Sequence, residues 1–280
     1  MTRRNQVSVL AASATLLAAL CPAGGALRAQ DGGRVGSFGA SLRFDHFAAT
    51  DRLTSPRRHG GEGLSQNGFF VSLRSDDSVH EVEGWLGSMG VEADGGFSFR
   101  RFGGLEATPE SEVELVEGAY RYLRRVRGGP WWLGVAMSLQ VNHTTYEFGA
   151  GVAEGFLYYG ALELNGRREV DLGEGRGLVL AMEIPLIAWA TRPTWSTVDE
   201  ERLQSSSDFF HRMSKGGLTW PGELQAVSGR VLYEHPLASR LAFRSGAKAG
   251  YVRHTGGPAY RAFRLGIEAG LTIRWTGDDR

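Results

Sequence analysis

The stretch Phe263–Trp275, FRLGIEAGLTIRW, has an apolar residue at every second position. The apolar residues are Phe263, Leu265, Ile267, Ala269, Leu271, Ile273 and Trp275. Between them lie Arg264, Gly266, Glu268, Gly270, Thr272 and Arg274. Successive side chains of a β-strand point to opposite faces, so this segment has one apolar face and one face of charges and small residues. The pattern predicts a long strand with different surroundings on its two sides.

The same alternation recurs along most of the chain. It is clear at 131–146, 177–189 and 241–254, and less regular at about 36–47, 67–75, 79–90, 112–126, 153–168 and 223–236, with 95–103 uncertain. These segments exceed the roughly 5–6 residues of an ordinary strand and reach the roughly 9–11 that a tilted strand needs to cross a bilayer. The connections alternate between short ones, at 127–130, 171–177 and 236–239, and a long polar one at about 190–222.

Long alternating strands, short turns and long loops resemble an outer-membrane β-barrel, in which the turns are periplasmic and the loops extracellular. The segment EAGLTIRW also resembles the C-terminal signal that the barrel-assembly machinery recognises, through Glu268, Gly270, Ile273 and Trp275. Such proteins often end on the aromatic residue, whereas TGDDR follows here. The resemblance implies an all-β fold, an antiparallel transmembrane β-barrel. Ten strands are preferred, with 79–103 as one long interrupted strand, and twelve are possible if a strand has been missed. A soluble β-sandwich or lipocalin-like barrel is the alternative.

The N-terminal segment predicts export. Arg3 and Arg4 precede a mostly apolar run from Val7 to Cys21, and small residues lead to Ala29. This layout is typical of a secretory signal peptide, here assigned to residues 1–29. The remainder, 30–280, is then a single barrel domain in the cell outer membrane. Cys21 is the only cysteine, so no disulfide is expected after removal of the signal.

Charge balance and residue spacing argue against several classes of partner and ligand. The 31 basic residues balance 31 acidic ones, which gives no electrostatic case for nucleic acid. No spacing typical of a metal or nucleotide site occurs, so no metal and no cofactor are expected. The expected partners are outer-membrane lipid and lipopolysaccharide, and the barrel-assembly machinery during insertion, while the oligomeric state stays open. A loop at 48–66, with Arg52, Arg57, Arg58 and His59, could contact anionic headgroups.

The face opposite the lipid-facing stripe predicts a charged lumen. The expected lumen-lining residues are Glu163, Glu183, Arg230, Arg244, Lys248, Arg264, Glu268 and Arg274. Opposite charges on neighbouring strands, such as Glu183 with Arg230, are expected to pair across the ladder. Such pairs fill a narrow barrel or line a water path in a wider one, where they tune ion selectivity. The sequence therefore predicts a small porin-like barrel or a structural, surface-binding one.

Aromatic residues suggest two further features. Those near strand ends are predicted to form interface girdles: Trp131, Trp132, Tyr158, Tyr159, Trp189 and Trp275. The long segment Thr191–Glu223 carries four candidates for binding a surface partner: Trp195, Phe209, Phe210 and Trp220. Loops of this length are usually functional or disordered.

One segment supports an enzymatic alternative, a lipid-modifying hydrolase with a lipid-facing site. In NHTTYE, residues 142–147, alternate positions place His143, Thr145 and Glu147 on one outward face. His143 would act as general base on the Thr145 hydroxyl, and Glu147 would orient the imidazole. The lipid hydrolases that this arrangement resembles use serine, and their His-x-Ser pair is absent here. The sequence thus favours a non-enzymatic barrel, with a secreted soluble β protein as the third possibility.

Overall fold

The computed structural model describes residues 35–53, 57–95, 99–100, 106–107, 111–148, 151–192 and 213–276. The predicted signal peptide, the first residues of the predicted barrel domain and most of the long loop lie outside these ranges. The described strands, in chain order, are β1 (Val35–Asp51), β2 (Arg58–Arg74), β3 (Ser78–Ala93), β4 (Phe99–Arg100), β5 (Glu106–Ala107), β6 (Ser111–Arg125), β7 (Trp131–Phe148), β8 (Gly151–Gly173), β9 (Arg176–Thr191), β10 (Gly217–Thr219), β11 (Leu224–Pro236), β12 (Leu241–His254) and β13 (Tyr260–Thr276).

Ten long strands form a closed antiparallel ring in the order β1-β2-β3-β6-β7-β8-β9-β11-β12-β13. Closure is made by β1 and β13, which pair from Val35 with Thr276 to Asp51 with Tyr260. The predicted all-β barrel and its preferred strand number are confirmed. Within the described ranges no helix is long and apolar enough to cross a membrane. Closure matters because a barrel without edges satisfies its backbone hydrogen bonds internally, as lipid requires.

Two predicted boundaries are wrong. Residues 79–103 do not form one interrupted strand: β3 ends at Ala93, and β4 pairs with β5 in a separate two-stranded sheet. Residues 48–66 are not a loop, because β1 continues to Asp51 and β2 begins at Arg58. A register shift and several glycines conceal the alternation in this part of β2. Gly61 is one of them, and a Cβ there would lie 2.1 Å from the Gly90 carbonyl oxygen of β3.

The connections at the two ends of the barrel differ in length, as the sequence predicts. At the end where β1 begins and β13 ends, β8 and β9 are joined by Glu174 and Gly175 alone. The φ angles of these two residues are 55° and 73°. Positive φ at both central residues is the geometry of a tight type I′ hairpin. At the other end the connection from β9 to β11 spans 192–223 and contains β10. Because bacterial barrels have short turns on the periplasmic side and their longer loops outside, we call the end with the β8–β9 turn the periplasmic end and the end with the 192–223 connection the extracellular end.

A belt of large apolar side chains surrounds the outside of the barrel. Its most exposed member is Ile267, at 65%. Other members are Phe38, Leu42, Phe44, Leu133, Val135, Met137, Leu162, Leu164, Met182, Ile184, Leu186, Val231, Phe243, Leu265, Leu271 and Ile273. An apolar surface that encircles a protein marks a membrane contact. Trp131, Trp189 and Trp275 lie on this outer face, but Trp132 and Tyr159 are buried inside the barrel at 1% exposure, so the girdle prediction is wrong for these two.

The polarity of the two faces inverts towards the extracellular end. On β6, Glu117 faces inward within the belt region, but farther out Val113 and Leu115 face inward and are buried. Glu112 and Glu114 face outward there. β1 and β13 change in the same way at Phe47 and Ala262. We call this outer part, which comprises 47–51 on β1, 111–115 on β6 and 260–262 on β13 with the neighbouring ends of the other strands, the collar. Its polar exterior and apolar interior place it in water beyond the bilayer.

The position of this boundary can be tested with arginine substitutions on the outer face of β7. Met137 is 46% exposed within the belt, so Met137→Arg should lower the free energy of unfolding by about 2–4 kcal/mol. Thr145 lies in the collar between Glu112 and Glu154, so Thr145→Arg should cost about 0–1 kcal/mol. Urea unfolding of the barrel refolded into lipid vesicles measures both. Equal losses would place the bilayer edge elsewhere.

Candidate functional site

The structure places seven of the eight predicted lumen residues inside the middle of the barrel, all buried or half-buried: Glu163, Glu183, Arg230, Arg244, Lys248, Arg264 and Glu268. The eighth, Arg274, faces inward at the periplasmic rim and pairs with Glu234 at 2.8 Å, each about one-third exposed. Strand alternation explains the placement, because these residues occupy inward positions on β8, β9, β11, β12 and β13.

Sequence reasoning missed the partners of these residues on the other half of the barrel: Arg43, Asp45, Glu81, Glu83, Glu117 and Arg121. Arg43 is the most connected of them and is 1% exposed. Its guanidinium lies 3.2 Å from Glu268 and 3.3 Å from Glu117, and packs 3.7 Å from the centre of the Trp85 ring. For Arg43 and Asp45 the inward orientation can be predicted from the sequence, because they alternate with the apolar residues Leu42 and Phe44.

Some ion pairs join neighbouring strands, as Arg264 on β13 does with Asp45 on β1, but others span the lumen. Lys248 Nζ on β12 lies 2.6 Å from Glu117 on β6, which is five strands away around the ring. Arg230 on β11 lies 2.6 Å from Glu83 on β3, again five strands away. Glu183 contacts Arg121 at 2.5 Å, so its predicted pairing with Arg230 is wrong. In a ring of this size, long side chains from opposite walls meet across the diameter.

The cavities that lie among the described lumen residues are small. A cavity of about 50 Å³ lies among these charges, lined by Glu163, Glu183, Lys248 and neighbouring residues, and a second has about 30 Å³. Volumes of this kind hold only a few water molecules, since one water needs roughly 10–15 Å³. Glu163 is 4% exposed, accepts a hydrogen bond from the Ser138 hydroxyl at 2.6 Å and forms no ion pair with a described residue.

An apolar layer fills the collar above the charged region. It is formed by inward side chains from eight strands: Phe47, Ala49, Met89, Val91, Val113, Leu115, Leu157, Tyr159, Ala161, Ala188, Ala190, Leu224, Val252, Tyr260 and Ala262. All are at most 7% exposed. We call this set the collar core. It resembles the interior of a soluble barrel and closes the extracellular end of the lumen with packed side chains.

Polar side chains cover the collar core at the mouth. Asp51 forms an ion pair with Arg192, whose Nε donates a hydrogen bond to the Pro258 carbonyl oxygen at 2.8 Å. His59 is buried in edge-to-face contact with the Tyr146 ring, 4.7 Å between centroids. Burial in this water-facing collar lowers the pKa of His59, which is therefore neutral at neutral pH. Across the described ranges, no group of three or more potential ligands could hold a metal ion.

The structure gives the predicted hydrolase relay little support. His143 faces outward in the collar, where Nδ1 lies 3.5 Å from Glu114 and Nε2 lies 3.4 Å from Glu154. Both ring nitrogens therefore lie near carboxylates on neighbouring strands. The side chain of Glu147 lies outside the described set. A general base needs a nitrogen directed at its nucleophile, and the relay of His143, Thr145 and Glu147 stays a prediction.

Of the four loop candidates, Trp195, Phe209 and Phe210 lie outside the described residues. Trp220 is 58% exposed and follows β10 directly. β10 pairs along the outer end of β9, which sets Leu218 opposite Trp189. Leu218 and Trp189 are 52% and 41% exposed, so with Trp220 they form an apolar surface at the outer edge of the belt. This end of the long connection is part of the barrel wall.

The residues of the predicted assembly signal contribute to closure between β1 and β13. Glu268 is 1% exposed and contacts Arg43 and Arg230 in the interior. A Cβ on Gly270 would lie 2.2 Å from the Ala40 carbonyl oxygen, so the two strands approach too closely for a side chain there. Ile273 and Trp275 face the membrane, at 53% and 40% exposure.

No family model and no curated protein matches this chain. Similar solved structures are outer-membrane barrels. The outer membrane protease OmpT from Escherichia coli has a TM-score of 0.50 at 9% identity, covering 88% of this chain and 97% of that one. The translocator domain of the autotransporter NalP from Neisseria meningitidis has 0.40 at 10%, covering 96% and 97%. The toluene transporter TodX from Pseudomonas putida has 0.34 at 7%, covering 88% and 90%.

These neighbours include a protease, a transporter and an autotransporter domain, so the likeness extends to the fold and leaves the activity open. The apolar belt and the closed ring of this chain agree with that fold. The chain has the general architecture of a bacterial outer-membrane β-barrel.

Proposed function

We propose that this protein is a non-conducting outer-membrane barrel that acts through its extracellular surface, and not a porin. The observation that carries the proposal is the filling of the lumen by two successive layers, the ion-pair network and the collar core. A conducting barrel needs a continuous polar path, whereas here an apolar layer lies across that path.

Both layers oppose the passage of ions. In the collar core a hydrated ion would lose its water without gaining polar partners, which costs many kcal/mol. In the network below it, an ion would have to displace the contacts of Lys248 with Glu117 and of Arg230 with Glu83, which are held by charges from opposite walls. The filled interior favours the structural, surface-binding prediction over the porin-like one.

Single-channel recording tests this proposal. We expect no conductance steps from the wild-type barrel in a planar bilayer, once heat-modifiable migration has demonstrated folding. Lys248→Ala should be equally silent, because it removes one cross-lumen contact and leaves the collar core in place. Stable steps from the wild type, altered in ion selectivity by Lys248→Ala, would instead establish a porin-like path.

A further inference from the structure

On the outer face of the collar, glutamates are concentrated on one run of strands and arginines on another. Outward glutamates occupy β3, β6 and β8: Glu92, Glu112, Glu114 and Glu154. Outward arginines occupy β2, β12 and β13: Arg58, Arg253 and Arg261. A polar exterior would suffice to keep the collar in water, so the segregation of the two signs needs a separate explanation.

Strand register sets two of these arginines against each other. Arg253 is directly opposite Arg261, and we call these two residues the arginine pair. Like charges at directly opposite positions destabilise a sheet. Neither residue forms an ion pair with a described residue, and Arg253 Nε is buried without a hydrogen-bond partner in the described part of the chain. Arg58, by contrast, lies 3.6 Å from Asp94. The arginine pair therefore has uncompensated positive charge.

The arginine pair lies at the edge of the membrane belt. Tyr251 and Phe263 lie on the same two strands, two residues nearer the periplasm, and are directly opposite each other. Val227 on β11 is opposite Tyr251 on its other side. These three side chains are 39%, 43% and 41% exposed on the lipid-facing surface. Two residues along a strand correspond to about 7 Å, so the guanidinium groups lie at the level of the outer-leaflet headgroups.

We propose that Arg253 and Arg261 bind a phosphate group of a phosphorylated glycolipid in the outer leaflet, whose acyl chains lie on Val227, Tyr251 and Phe263. The guanidinium group matches phosphate geometry through paired hydrogen bonds, and one phosphate between two arginines removes their mutual repulsion. The site goes beyond a non-conducting barrel, because it assigns a ligand class to one side of the collar and does not depend on whether the lumen conducts.

Native mass spectrometry of the full refolded chain in neutral detergent tests this site, with bisphosphorylated lipid A as the probe. We expect a bound complex whose apparent dissociation constant rises roughly fivefold for each of Arg253→Gln and Arg261→Gln. Without lipid A, both variants should unfold at the same temperature as the wild type or higher, because a repulsion has been removed. A merely structural role for these residues would instead lower that temperature.

Three comparisons make the result decisive. The matched control Arg124→Gln with Arg127→Gln removes two exposed arginines at the periplasmic end and should leave binding unchanged. Dephosphorylated lipid A should bind the wild type as weakly as lipid A binds the double variant Arg253→Gln with Arg261→Gln. The proposal is overturned if that double variant retains wild-type affinity, or if the dephosphorylated lipid binds equally well. If inorganic phosphate at equal concentration displaced lipid A, the site would bind free phosphate, and the proposal that a lipid supplies the phosphate group would be overturned.

Discussion

Arg43→Met should lower the free energy of unfolding by about 3–5 kcal/mol, because it removes a buried positive charge from the ion-pair network and takes one contact from each of three buried carboxylates. The Arg43 side chain is 1% exposed and contacts Glu268, Glu117 and Glu83. Glu268 keeps its contacts with Arg230 and Arg244. Glu117 keeps Lys248 and Arg264, so the loss comes from a network that has one buried cation fewer. Urea unfolding of the refolded barrel in detergent measures the loss.

Arg274→Met is the matched control, since it makes the same change at an inward position on the periplasmic rim. The Arg274–Glu234 pair is about one-third exposed on each side, so its loss should cost less than about 1 kcal/mol. Raising the salt concentration to about 1 M should leave the Arg43 effect nearly intact, because buried pairs are poorly screened. Equal small losses for the two variants would mean that the lumen is filled with water, contrary to the proposed closed barrel.

Much of the fold can be predicted from the sequence because lipid restricts which side chains may face it. A side chain in the hydrocarbon must be apolar, so alternation persists over long segments such as Phe263–Trp275 and gives both the strands and their faces. Where strands leave the lipid this requirement ends. The β2 segment at 58–66 then consists of glycines and polar residues apart from Leu64, and its pairing with β1 is specified by long-range contacts instead of a local pattern.

The sequence pattern does not predict the collar, for a related reason. A strand whose polarity inverts places two residues of like polarity side by side, as Leu115 and Val116 on β6 and Ala262 and Phe263 on β13 do. Two adjacent residues of like polarity are therefore the sequence signal for the collar, although an irregular strand shows the same pattern. Cross-lumen partners such as Lys248 and Glu117 lie 131 residues apart in sequence, so no local pattern could pair them.

Val91→Asp should cost about 3–5 kcal/mol or prevent folding, because it places an unpaired carboxylate in the collar core. Val91 is 2% exposed and faces inward on β3. If the interior were polar and wet along the whole barrel, a carboxylate at this position would be solvated and nearly neutral in its effect on stability. The substitution therefore separates an apolar collar from a polar lumen that extends to the mouth.

The adjacent residue supplies the matched control. Gly90 faces outward, is exposed, and a Cβ built there meets no atom within 4 Å. Gly90→Asp should therefore change the free energy of unfolding by less than about 1 kcal/mol, with a small penalty from Glu112 on the neighbouring strand. Urea unfolding of both variants under one condition gives the difference directly. A large loss at Val91 with a small one at Gly90 requires an apolar interior beneath a water-facing surface, the arrangement that closes the lumen. Similar losses at both positions would contradict the collar.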